Sequence, residues 1–197
     1  MKRFILILFA MFGSQQVMAD ETCMSPYIQK IVGQEDFVYV WTLGIEGIGD
    51  EQDKLVTISV NPASQTYGQV VSSLSVGGRN EAHHSGLTDD RRFLWASGLS
   101  SSKIFIFDVH TDPARPTLHK TIDNFVEQSG GVVGPHTSYA LPGRILITGL
   151  SNNRDSGGET GLVEYTNSGE YIATHWMPKD GASVSYTHLT LPTKPKV

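Results

Sequence analysis

The chain has 197 residues, 39% of them apolar, with a formal net charge of −5. That is enough apolar content for a packed core and too little bias for a collagen-like or disordered chain. An acidic balance argues against nucleic acid or an anionic membrane surface as partner.

Residues 1–19 read as a cleavable secretory signal. Lys2 and Arg3 form the charged end, Phe4 to Phe12 an apolar run short for a bilayer span, and Val17 and Ala19 sit at the −3 and −1 positions of a cut before Asp20. Export places the mature chain in an oxidising compartment, the bacterial periplasm, with no membrane partner after cleavage. A single cysteine, Cys23, allows no internal disulfide and is either a thiol site or an incidental small residue. At the other end, Val184 to Thr193 reads VSYTHLTLPT, which matches the conceptual translation of a transposon-end sequencing adapter. Residues 184–197 are therefore expected to be read-through, with 20–183 the N-terminal part of a longer domain. Without residues 1–19 and 184–197, 11 basic and 20 acidic residues remain, a net charge near −9.

Between those ends the pattern is of short strands and turns. A short helix is expected between Cys23 and Gln34. Strands are expected at 37–42 (FVYVWT), 54–60 (KLVTISV) and 68–74, with a glycine-rich acidic loop at 43–52. A second group follows at 84–88, 93–97, 103–109 (KIFIFDV) and 118–122, interrupted by the proline-rich stretch 111–116. A third runs through 136–141, 145–148, 161–165 and 171–176, with a loop at 151–158.

These groups repeat. HSGLTDDRRFLWASGL (84–99) and HTSYALPGRILITGL (136–150) both open on histidine and close on Gly-Leu, offset by 52 residues; KLVTISV, KIFIFDV and GLVEYT hold matching places. A period in that range with four short antiparallel strands per unit describes an all-β β-propeller, here about three four-stranded blades at 36–76, 83–123 and 136–177. A β-sandwich with fortuitous repeats is the alternative. Three blades do not close a ring, which needs about four to eight.

The first strand of a blade lines the central channel, so His84 and His136 are expected to converge on it from neighbouring blades. His83 would point away along an extended chain and reach the site only if the backbone bends. Converging imidazoles suit copper, zinc or iron, or are structural histidines bonded to the backbone. Glu81 could accept the second ring N–H of a ligand or be a solvated loop acid. His110, His119 and His175 read as surface residues.

Glu81-Ala-His-His-Ser-Gly86 resembles the E-x-H-H-S-G signature of the selenium-binding protein family, whose enzymatic members are methanethiol oxidases. Asp53-Lys-Leu-Val-Thr57, Pro62-x-Ser64-x-x-Tyr67 with Val70, Ser101-Ser-Lys-Ile-Phe105, Asp108-Val109, Pro116-x-Leu-His-Lys120, Pro135-His-Thr-Ser138 and Cys23-x-Ser25-Pro26 also fit that family. The resemblance implies a β-propeller and, for exported bacterial members, a copper enzyme. Its substrates would be methanethiol and O2 and its products, with water consumed, formaldehyde, hydrogen sulfide and hydrogen peroxide. His83, His84 and His136 would contribute to the metal site. Tyr139 stands where many relatives have a further histidine, as a phenol near the ligands or a replacement for a non-ligand. Thr42 stands where vertebrate relatives carry a cysteine, so selenium binding through that cysteine is not implied. The other reading is a non-catalytic selenium- or metal-binding propeller.

Overall fold

The structure is a computed structural model that describes residues 25–154 and 159–177. The described chain is all-β apart from one short helix. Its elements are β1 (Phe37–Thr42), β2 (Lys54–Ser59), β3 (Val70–Ser75), β4 (Ala82–Leu87), β5 (Phe93–Gly98), β6 (Lys103–Asp108), β7 (Thr117–Ile122), α1 (Phe125–Gln128), β8 (Val132–Leu141), β9 (Arg144–Asn152), β10 (Gly161–Thr166) and β11 (Tyr171–Trp176). They form three antiparallel sheets of sequential strands, β1-β2-β3, β4-β5-β6-β7 and β8-β9-β10-β11. Among the described residues no helix is long and apolar enough to cross a membrane.

The strands form where β-branched and aromatic residues run between turn formers. Asp89–Arg91 turns β4 into β5, with Thr88 Oγ1 accepting the Phe93 N–H and Asp90 Oδ1 accepting the Arg92 N–H. Pro142-Gly143 turns β8 into β9, where Gly143 has a left-handed φ of 70°. Pro135 lies within β8, which pairs with β9 alone; that one-sided position tolerates a residue with no N–H to donate.

The central strands of the middle sheet, β5 and β6, are buried on both faces because they are apolar at consecutive positions rather than at alternate ones. Phe93, Trp95, Ile104, Ile106 and Ile122 pack against Ile145, Ile147, Val163 and Tyr165 of the third sheet, with Phe125 of α1. The intervening residues Leu94, Ala96, Phe105 and Phe107 face the first sheet, meeting Leu55 and the half-buried Tyr39, Trp41 and Leu74. Each fully buried large aliphatic or phenylalanine side chain contributes about 1.5–3 kcal/mol. Two tryptophans tie the sheets: Trp41 Nε1–H donates to Ser97 O and Trp95 Nε1–H to Asn167 O, both at 3.0 Å. Asp89 adds a second tie, accepting from the Gly143 N–H and the Asn167 side-chain amide.

Three expectations need correction. The first sheet has three strands, not four. β2 and β6 open on Lys54 and Lys103 and pair with β1 and β5 in the same register, which aligns β1 with β5; the missing place is that of β4 and β8, and residues 25–36, which precede β1, form a turn and coil instead. The helix expected before Gln34 is not formed by the described part of that stretch, and the only helix among the described residues is α1. The third sheet also starts earlier and extends further, with β8 beginning at Val132 and β9 reaching Asn152. Cys23, the signal segment 1–19 and the segment 184–197 lie outside the described residues.

Candidate metal centre

The strands β4 and β8 open their sheets and lie against each other. Each carries one extra residue at the same place. In the β4–β5 pair, Ala82 faces Gly98 and Ser85 faces Ala96, so His83 and His84 together oppose Ser97. In the β8–β9 pair, Pro135 faces Gly149 and Ser138 faces Ile147, so His136 and Thr137 together oppose Thr148. An extra residue of this kind bends the strand and re-aims its side chains.

The bulge explains why both adjacent histidines reach one site despite strand alternation. Superposing the two bulges also corrects the repeat by one position. His83, not His84, corresponds to His136; His84 corresponds to Thr137; and Gly86 corresponds to Tyr139. The histidine offset in the structure is thus 53 rather than 52, falling to 51 on the following strands because the turn from β4 to β5 is two residues longer than that from β8 to β9.

One ring nitrogen from each of His83, His84 and His136 lies within 4.8 Å of the others. The ring centroids are 4.5 Å apart for His83–His84, 4.6 Å for His83–His136 and 4.3 Å for His84–His136. His83 Nε2 and His136 Nε2 are 2.9 Å apart, a hydrogen bond in which one nitrogen carries the proton. Three imidazole nitrogens around one ion at about 2.0 Å would sit about 3.3–3.5 Å from one another, so small ring rotations bring this set to coordination distance. The donor set suits copper, zinc, iron or nickel.

The cluster is graded in depth: His136 is buried, His84 half-buried and His83 exposed. Burial first, then the neighbouring rings of His84 and His83, push the His136 pKa down to about 4. Burial and then His83 lower that of His84 as well. These two rings are therefore neutral near pH 7, the form that binds a metal. His136 Nδ1 meets the Thr137 hydroxyl at 3.0 Å, which leaves Nε2 to face the cluster. Ser97 Oγ–H donates to His136 O at 3.3 Å, and Thr148 Oγ1 accepts the Thr137 N–H at 2.9 Å.

The remaining sequence candidates lie elsewhere. Glu81 is exposed, is not part of the three-histidine group, and lines an adjacent cavity of about 550 Å³ with Leu43, Ile45, Glu46, Arg79 and Ser100. Its backbone is the notable feature, with a left-handed φ of 61° immediately before β4. Tyr139 is half-buried opposite Leu146, three residues along β8 from His136, about 10 Å at 3.3 Å per residue. His110 and His119 are exposed, His119 against the Phe93 ring. His175, also exposed, pairs with Glu164 at 2.7 Å. Sequence reasoning missed Thr137, Ser97 and Thr148; only the place of Thr137 in the bulge and of Ser97 and Thr148 opposite the two bulges, visible once the pairing is known, marks them.

An all-β chain of repeated antiparallel sheets, with three imidazoles converging where the opening strands of two sheets meet, defines the class. The chain belongs to the family described as 56kDa selenium binding protein (SBP56), which it matches over residues 17–189. It is 69% identical over 160 residues to a methanethiol oxidase of Ruegeria pomeroyi and 59% identical over 161 residues to a methanethiol oxidase of Hyphomicrobium sp.; each match covers 81% of this chain and 37% of the relative. Selenium-binding protein 2 of Arabidopsis thaliana is 32% identical over 146 residues, covering 66% of this chain and 29% of that protein. The X-ray structure of a hypothetical selenium-binding protein from Sulfolobus tokodaii superposes with a TM-score of 0.65 at 29% identity, covering 73% of this chain and 35% of that one. The chain thus spans 37% of the length of the two bacterial methanethiol oxidases.

Proposed function

We propose that this chain is part of a copper-dependent methanethiol oxidase, exported to the periplasm, in which His83, His84 and His136 hold the metal. The convergence of three imidazoles from two strand bulges carries the reading. The reaction takes methanethiol, O2 and water to formaldehyde, hydrogen sulfide and hydrogen peroxide. The names of the two bacterial relatives support the substrate. The signal-like residues 1–19 support export.

The three sheets are proposed to be consecutive blades of a β-propeller. The sequential antiparallel order of each sheet, four-stranded in the second and third, the common register of β1–β2 and β5–β6, and the burial of the middle sheet's central strands on both faces support this. Their opening strands would then line the channel.

Copper, when bound, supplies a one-electron couple and a soft centre for a thiolate. The chain's own residues supply the rest. Burial keeps His136 neutral, the Thr137 hydroxyl fixes which of its nitrogens faces the cluster, and the exposed side at His83 admits a small thiol. The test is methanethiol-dependent peroxide release by copper-loaded protein, wild type beside His84→Ala. Peroxide from wild type alone is the expected result. Copper retained without peroxide would refute the oxidase reading and leave a metal-binding protein.

A further inference from the structure

The geometry points to Asp53 and Ser102 as positioning residues that set the histidine-bearing strands from the neighbouring sheet. This deepens the reading of the three-histidine site and takes its functional meaning from it. Both residues sit immediately before the corresponding strands β2 and β6, which open on Lys54 and Lys103.

Asp53 is wholly buried. Its Oδ1 accepts the Gly44 N–H and its Oδ2 accepts the Asn80 N–H, both at 2.7 Å. Its backbone N–H donates to Gly78 O at 2.9 Å. The Asn80 side chain completes the turn by donating to Gly77 O at 3.0 Å. Ser102 Oγ accepts the Gly134 N–H at 3.1 Å. In both cases an oxygen on one sheet grips the backbone of the next sheet two or three residues before a histidine.

The backbone beside each grip has the same shape. Glu81, which follows the gripped Asn80, and Gly134, the gripped residue itself, each lie two residues before the bulged pair and have left-handed φ values of 61° and 64°. That conformation costs a non-glycine residue energy and persists only where its surroundings enforce it. At Glu81 the enforcement is visible: Asp53 holds the residue before it, and the Leu99 N–H donates to Glu81 O at 3.0 Å. None of the ion pairs among the described residues involves Asp53. A buried carboxylate satisfied by backbone N–H groups rather than by a cation is a costly arrangement. Its recurrence as Ser102 at the matching place, again on the chain leading to a histidine, ties that arrangement to the site rather than to one loop.

The test begins without metal. At pH 8, ¹⁵N-resolved NMR of the purified protein reads the ring N–H shared between His83 Nε2 and His136 Nε2, expected downfield of a free imidazole because it is hydrogen-bonded. Asp53→Ala and Ser102→Ala are expected to abolish or displace that signal, with Asp53→Asn, which keeps one oxygen, in between. Val163→Ala, a core truncation on β10, should lower the melting temperature and leave the signal in place. Copper(II) is then titrated in and its EPR spectrum recorded. Asp53→Ala and Ser102→Ala should weaken copper about tenfold and alter the hyperfine pattern, the usual scale for residues behind a metal ligand. An unchanged ring signal together with wild-type copper affinity in both Asp53→Ala and Ser102→Ala overturns the inference. If wild type takes no copper while the ring signal responds as expected, the positioning role stands and the copper reading falls. Should Asp53→Ala not fold, Ser102→Ala and Asp53→Asn still decide the matter.

Discussion

Gly86→Ala is the sharpest test of how the two histidine-bearing strands fit together. Gly86 lies on β4 three residues after His83, facing β8. A Cβ added there would run into Ser138 Oγ, while Ser138 Cβ lies 3.4 Å away, at the edge of ordinary contact. Either the serine hydroxyl rotates away or β4 and β8 separate by up to about 1 Å. Overpacking of this kind costs about 1–3 kcal/mol. A shift of that size would also stretch the 2.9 Å contact between His83 and His136. The clash is with the hydroxyl alone, so Gly86→Ala with Ser138→Ala should recover most of the loss. Urea denaturation of the metal-free single and double variants measures the energies, and copper titration measures the site. A single variant as stable as wild type would show that the hydroxyl rotates away and the strands stay put; a destabilised single variant that Ser138→Ala does not recover would refute the close approach of β4 and β8.

Glu164 tests the outer face of the third sheet. Its hydrogen bond with His175, and then the Arg144 guanidinium, hold its carboxyl below the usual range. Stability from this group is therefore complete above the unfolded carboxyl value and lost as pH falls through the lowered folded one. Glu164→Gln should cost roughly 2 kcal/mol at pH 7 and flatten the acid limb of the stability profile; an unchanged limb in urea titrations from pH 7 to 3 would count against it. Trp95→Phe removes the N–H that Asn167 O accepts and should cost about 1–3 kcal/mol, measured by the same denaturation. Glu81→Gln and Glu81→Gly separate the two roles open to that residue. If its backbone matters, Gln leaves copper affinity unchanged and Gly does not weaken it; if its carboxylate orients a ligand, both weaken it, read by copper titration.

Much of this was legible in the sequence because the repeats are strongly patterned. KIFIFDV and FLWASG are apolar at consecutive positions, and the structure buries them on both faces. The edges of β1 and β11 were also readable, since turn formers bracket them. The bulges were not. Nothing in Ala-His-His-Ser marks an extra residue, because a bulge is defined by its partner strand, and so strict alternation sent His83 the wrong way. The three-stranded first sheet was hidden for a related reason. Four strands fit the repeat period, but the segment before Phe37 lacks the alternating apolar residues that would build one. Asp53 was visible only as part of a motif; its carboxylate's partners, Gly44 and Asn80, lie far along the chain and meet it only after folding.

X-ray absorption at the copper edge of the loaded protein tests the central claim most directly. The account predicts at least three nitrogen scatterers at about 2.0 Å with the outer-shell pattern of imidazole, reduced in His136→Ala. A spectrum that His83→Ala, His84→Ala and His136→Ala all leave unchanged would contradict it, because the metal would then lie elsewhere and the three-histidine cluster would be structural.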